Sequence, residues 1–158
     1  MIILAIDPGS EKSAWLLYDF ETKLPKKFGM NKNDEFLHRF PSADEMVIEM
    51  VASYGMAVGK SVFETCVWIG RFMQEWKVEQ GKEAIQIYRK DVKMHLCNSM
   101  RAKDSNIRQV LIDKFGGTRE TAIGTKKNPK ALYGIKKDLW SALSLAIYYA
   151  ETTHGGID

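Results

Sequence analysis

Residues 1–10 read MIILAIDPGS, an apolar run that stops on Asp7 and turns at Pro8-Gly9. A strand this apolar is a buried one, and a carboxylate at its end loses hydration. It must be compensated by hydrogen bonds or by a cation. Two explanations compete: Asp7 caps the Pro8-Gly9 turn, or Asp7 belongs to a site.

The rest of the chain supplies the sheet. MIILAID and SAWLLYDF read as two strands joined by the tight turn. A third strand is predicted over residues 27–30, and the polar NKNDEFLHRF is helix-like. EMVIEM, β-branched at its centre, is a strand ending near Glu49. Residues 58–77 place Val62, Cys66, Ile69 and Met73 at helical spacing, with Phe63, Val67 and Gly70 beside them. EAIQIY is a short strand. Helices follow over residues 89–98 and, from Asp104 or Ser105 as N-cap, through Phe115 to the Gly116-Gly117 stop. A glycine-, threonine- and lysine-rich loop covers residues 116–134. In KKDLWSALSLAIYYAETTH, Leu139, Ala142, Leu143, Ala146, Ile147 and Ala150 share one stripe of a closing helix. The order implies an α/β domain with a mixed sheet, in which ligands bind at the carboxyl ends of strands.

With 158 residues, 45% of them hydrophobic, the chain fits one domain with a full core. No apolar run reaches membrane-spanning length, and no basic-then-apolar leader with a cleavage site opens the chain, so a soluble, cytoplasmic protein is expected. Cys66 and Cys97 match neither a zinc nor a disulfide spacing and are expected to be reduced core residues. The net charge is only +3, yet it is unevenly placed. KKNPKALYGIKK carries five lysines and no acid, and YRKDVKMHLCNSMRAK carries six basic residues, His95 among them, against Asp91. Such clustering suits a polyanion; a solvated surface is the plainer alternative.

Glu49 is a second acid at the end of an apolar strand, and VIE has no local turn to explain it. Two acids on adjacent strand ends repel unless a cation sits between them. Asp138 is a third, at the start of the last helix, where the helix dipole alone would favour an acid. Together the three make an oxygen-ligand cage suited to Mg²⁺ or Mn²⁺.

IDPGS, VIEM and KKDLWSALSLAIYY, in this order and spacing, resemble the strand-one aspartate, strand-four glutamate and final-helix motifs of the RuvC-like Holliday junction resolvases, in the ribonuclease H-like superfamily. The resemblance covers essentially the whole chain. It implies a ribonuclease H-like fold, a five-stranded mixed sheet flanked by helices, formed by residues 1–158 as a single nuclease domain. It also implies a homodimer and a metal-dependent endonuclease that nicks branched DNA symmetrically. One or two Mg²⁺ or Mn²⁺ ions per subunit would be held by Asp7, Glu49 and Asp138, with Ser141 also in the catalytic set. DNA contact falls to Lys93 and Lys103, and with them to Arg89, Lys126, Lys127, Lys130 and Tyr54. Size, lysine content and divergence resemble a bacteriophage-encoded member. Two departures stand out. Three residues after Asp138 the family usually has a carboxylate, where this chain has Ser141, on the same helix face. After Glu49, where bacterial members carry a stacking aromatic, this chain has Ala52 with Tyr54 nearby.

Other readings remain open at this point: a non-catalytic binder of branched DNA, or a nuclease of the same superfamily acting on RNA. The ATP-binding actin-like proteins share the DxG turn, but they need two such domains, more than 158 residues supply.

Overall fold

The computed structural model describes residues 1–153. Five strands form one sheet: β1 (Ile2–Asp7), β2 (Lys12–Asp19), β3 (Leu24–Lys32), β4 (Glu45–Met50) and β5 (Ile85–Tyr88). Their order is β3-β2-β1-β4-β5. β1 runs antiparallel to β2 and parallel to β4, and β4 runs parallel to β5, so the sheet is mixed as expected. The helices are α1 (Asn33–Phe36), α2 (Lys60–Gln80), α3 (Arg89–Cys97), α4 (Asp104–Lys114), α5 (Arg119–Ala122) and α6 (Leu139–Thr153).

β1 is the middle strand, and both its faces are covered. Ile3 and Ala5 join the core built with α3, α4 and α6, while Leu4 and Ile6 join the core built with α2 and Phe36. A strand buried on both sides cannot alternate polar and apolar residues, which explains its unbroken apolar run. β3, at the edge, carries Pro25 and several lysines, as edge strands tolerate and central strands do not. It extends well beyond the predicted 27–30.

α2 differs from its expected orientation. Its buried face is Thr65, Ile69, Phe72 and Trp76, rotated from the predicted stripe of Val62, Cys66, Ile69 and Met73. The helix is apolar around more of its circumference than one sheet face can cover, so spacing alone does not choose the buried side. The aromatic pair Phe72 and Trp76 buries the most area and wins. Phe63 and Val67 are left 61% and 62% exposed. α6, wedged between the sheet and α3 and α4, buries the whole predicted stripe and also Trp140, Leu145 and Tyr149. The 116–134 loop contains the short α5, capped by Thr118, whose hydroxyl accepts from the Thr121 amide. Lys103, rather than Asp104 or Ser105, is the N-cap of α4. Cys66 and Cys97 are free thiols as expected, but half-buried rather than in the core. No helix among the described residues is long and apolar enough to cross a membrane.

The β1–β2 turn explains Asp7. The Gly9 amide donates to Ser13 Oγ (3.2 Å), Ser13 Oγ donates to Asn33 Oδ1 (2.6 Å), and Asn33 Nδ2 donates back to the Gly9 carbonyl (2.8 Å). Ser13 and Asn33 are each 1% exposed, so this closed ring lies inside the protein. A Cβ at Gly9 would sit 2.3 Å from the Lys12 carbonyl oxygen, so only glycine fits there. The turn is therefore held by Ser13 and Asn33, and Asp7 is released from capping it. Asn33→Ala should orphan the Ser13 hydroxyl and the Gly9 carbonyl and cost about 1–3 kcal/mol, measured by denaturant unfolding; an unchanged midpoint would show that the ring does not hold the turn.

Candidate active site

Alternation along the strands decides which side chains meet. Ile3 and Ala5 face α6, so Asp7, two residues on, faces the same way. In β4 Val47 faces α6 and therefore so does Glu49; in β5 Ile87 does, and therefore Arg89 follows on that side. The parallel register Ala5–Val47 and Ile6–Ile48 carries Asp7 up beside Glu49, and Glu49 pairs with Ile87. α6 then delivers its first turn to the same place. Asp138, exposed, immediately precedes the helix, and its carbonyl accepts from the Ala142 amide; Ser141 lies one turn further.

The two strand-end acids are in direct contact. Burial above all, then repulsion from Glu49, a hydrogen bond with Glu49 and repulsion from Asp138, push Asp7 up from 3.8 to about 9, with Arg89 opposing. Without a bound cation, the pair is thus relieved by a proton on Asp7, donated to Glu49. Arg89 reaches into the cluster from the first position of α3, directly after β5. Its Nη1 donates to Glu49 Oε1 (3.2 Å) and to Ser141 Oγ (2.9 Å), and its Nη2 donates to Asp104. The hydrogen bond from Arg89 holds Asp104 below the usual carboxylate range.

The structure thus brings together Asp7, Glu49, Ser141 and Arg89, with Asp138 near enough to act on Asp7. Arg89, expected at the DNA backbone, is bonded to Glu49 and Asp104. Lys93, half-buried on α3, lies near enough to Asp104 to lower its pKa, and Lys103 is exposed at the head of α4. Lys126, Lys127 and Lys130 are exposed beyond α5, and Tyr54 is 62% exposed in the loop after β4; no contact ties these four to the acids. Beside Arg89 a cavity of about 210 Å³ is lined by Arg108, Lys137, Asp138, Trp140 and Ser141. It shares Arg108, Lys137 and Trp140 with a larger cavity of about 560 Å³, which adds Arg119 and Lys136. Arg108 lies 5.4 Å over the Trp140 ring. Sequence reasoning missed Arg108 and Arg119. The available signal for Arg108 was its place one helical turn after Asp104.

A hard divalent cation suits this donor set. All the groups are oxygens, and Asp7 and Glu49 meet with one proton where a cation would serve. Among the described residues no three His, Cys, Asp or Glu side chains are grouped tightly enough to hold an ion as they stand. The expected three-acid cage is a contacting pair with Asp138 at its side.

At the level of sequence, no family model matches this chain, and no curated protein matches it. Among solved structures it is similar to RuvC of Thermus thermophilus, with a TM-score of 0.65 and 17% identity over 96% of each chain. It is likewise similar to T. thermophilus RuvC in complex with a Holliday junction substrate, with a TM-score of 0.67 and 16% identity over 99% of this chain and 96% of that one. The chain therefore has the RuvC form of the ribonuclease H-like fold, the five-stranded mixed sheet flanked by helices that the motifs implied.

The Asp7 proton gives a pH signature. Its folded pKa, about 9, lies above the unfolded value near 4, so the folded state binds the extra proton between them. The stability from that proton is complete below about pH 4 and is lost progressively as pH rises to about 9. In chelator, the melting temperature of wild type relative to Asp7→Asn should fall steadily from pH 5 to pH 9. Adding Mg²⁺ at pH 8 should recover it in wild type alone. Parallel curves for the two proteins would remove Asp7 from the cluster.

Proposed function

We propose that this chain is a divalent-metal-dependent endonuclease that binds and symmetrically nicks branched DNA such as Holliday junctions. The observation that carries the proposal is the interacting pair of half-buried carboxyls, Asp7 and Glu49, on adjacent parallel strand ends of a RuvC-like fold. Support also comes from the neighbouring basic cavities and from the junction bound by the T. thermophilus protein.

Asp7, Glu49 and Asp138 hold the metal. When bound, it supplies a lowered water pKa and charge stabilisation at the scissile phosphate. Asp7 and Glu49, half-buried on the face that α6 covers, are partly shielded from bulk water, which strengthens their electrostatics. Arg108, Lys136 and Lys137 neutralise backbone phosphates, and Lys93, Lys103, Lys126, Lys127 and Lys130 extend that grip across the face. Such contacts position DNA without reading its sequence. Tyr54, exposed in the loop after β4, is the aromatic available to stack on an unpaired base.

A second reading, a branched-DNA binder without catalysis, is favoured by Ser141 and by the absence of a closed three-acid group among the described residues. Cleavage of a labelled four-way junction separates the two. Wild type should nick opposing strands in Mg²⁺ and not in chelator, and Asp7→Asn should lose cleavage while binding the junction as well or better. Binding without nicking in either Mg²⁺ or Mn²⁺ would favour the binder.

Symmetric nicking calls for two sites related by a two-fold axis. α2 supplies the surface: Phe63 and Val67 lie one turn apart and exposed, and Gly70 next on that stripe has open space above it. Phe72 is spent on the protein's own core. Light scattering at micromolar concentration should give the mass of a dimer, and Phe63→Glu should give a monomer with junction nicking largely lost. A wild-type monomer with full activity would contradict this.

A further inference from the structure

Arg89 is placed by the sheet rather than by a flexible loop. It is the first residue of α3, directly after β5, and its guanidinium meets side chains from three other elements: Glu49 of β4, Asp104 of α4 and Ser141 of α6. Of the five N–H donors of a guanidinium, these contacts engage three. The side chain is 30% exposed, so the remaining two donors can meet an incoming phosphate oxygen.

We infer that Arg89 is the resident second cation of this site, standing between Glu49 and Ser141 so that each subunit takes one divalent ion rather than two. The inference rests on the reading of Asp7 and Glu49 as an ion site. Ser141 becomes intelligible on these terms. A carboxylate there would be a third anion on a guanidinium already paired with Glu49 and Asp104, whereas a hydroxyl accepts its hydrogen bond without adding negative charge. A second ion would need the Glu49 oxygen that Arg89 holds, and the serine offers it one neutral ligand in return. A guanidinium fixed toward the scissile phosphate stabilises charge on the departing oxygen, and it cannot be removed by chelation.

The test counts ions on the intact protein. Manganese binding, followed by calorimetry and by the paramagnetic signal of free Mn²⁺, should saturate near one ion per subunit in wild type and in Arg89→Lys. The double variant Arg89→Met/Ser141→Asp should saturate near two. Arg89→Met alone should nick junctions roughly 10²–10³-fold more slowly, with junction affinity changed only a few-fold and with partial recovery in Arg89→Lys. Two ions in wild type, or near-normal nicking by Arg89→Met, would overturn the inference and leave the nuclease reading standing. No bound ion and no nicking in wild type would overturn both. Should the Met variants fail to fold, the wild-type ion count decides alone.

Discussion

Everything at the candidate site depends on the two-residue period of a β-strand, applied three times in register. β1, β4 and β5 lie side by side and parallel; Asp7 closes β1, Glu49 stands next to the end of β4, and Arg89 opens α3 directly after β5, all toward the face that α6 covers. A slip of one residue in any strand would turn its functional group to the α2 side. The slip is prevented from both directions, because Leu4, Ile6, Met46 and Ile48 fill the opposite core completely. A buried apolar run is therefore what aims three charged groups at one point.

The charges so gathered need one another. Two carboxyls together at strand ends are unfavourable; a guanidinium sits on Glu49, and burial with the repulsion of Glu49 raises the pKa of Asp7. Asp104 anchors the far side of that guanidinium, tying α4 to the same cluster. At the opposite end of α6, Glu151 is bound by Lys114 and His95, so the helix is fixed to α3 and α4 at both ends. The first turn of α6 has little freedom to withdraw Ser141 from Arg89.

The sequence was legible where burial leaves a one-dimensional trace. β1 and β4 read as strands because their central residues are uniformly apolar, and Asp7 and Glu49 stood out by interrupting them. α6 read correctly because its apolar stripe is buried, and Asp138 fell one residue outside the helix rather than in its first turn. Two things were not legible. The buried face of α2 was ambiguous because apolar residues surround that helix, and the choice belongs to Phe72 and Trp76 packing on the sheet. The partners of Arg89 lie 15, 40 and 52 residues away in the chain, so nothing local separates a charge aimed at DNA from one aimed at Glu49. The Ser13–Asn33 clamp is a similar case: only its closure across 20 residues shows that Asp7 is free of the turn.

The central claim is that Asp7 and Glu49 are a cation site rather than a proton-sharing pair kept for stability. Crystals soaked in Mn²⁺ and measured at the manganese absorption edge test it most directly. An anomalous peak within inner-sphere distance of both carboxylates, with Arg89 still on Glu49 and Ser141, is the expected result. No peak at the pair in crystals saturated with manganese, or one reached only after Arg89 has left Glu49, would contradict it.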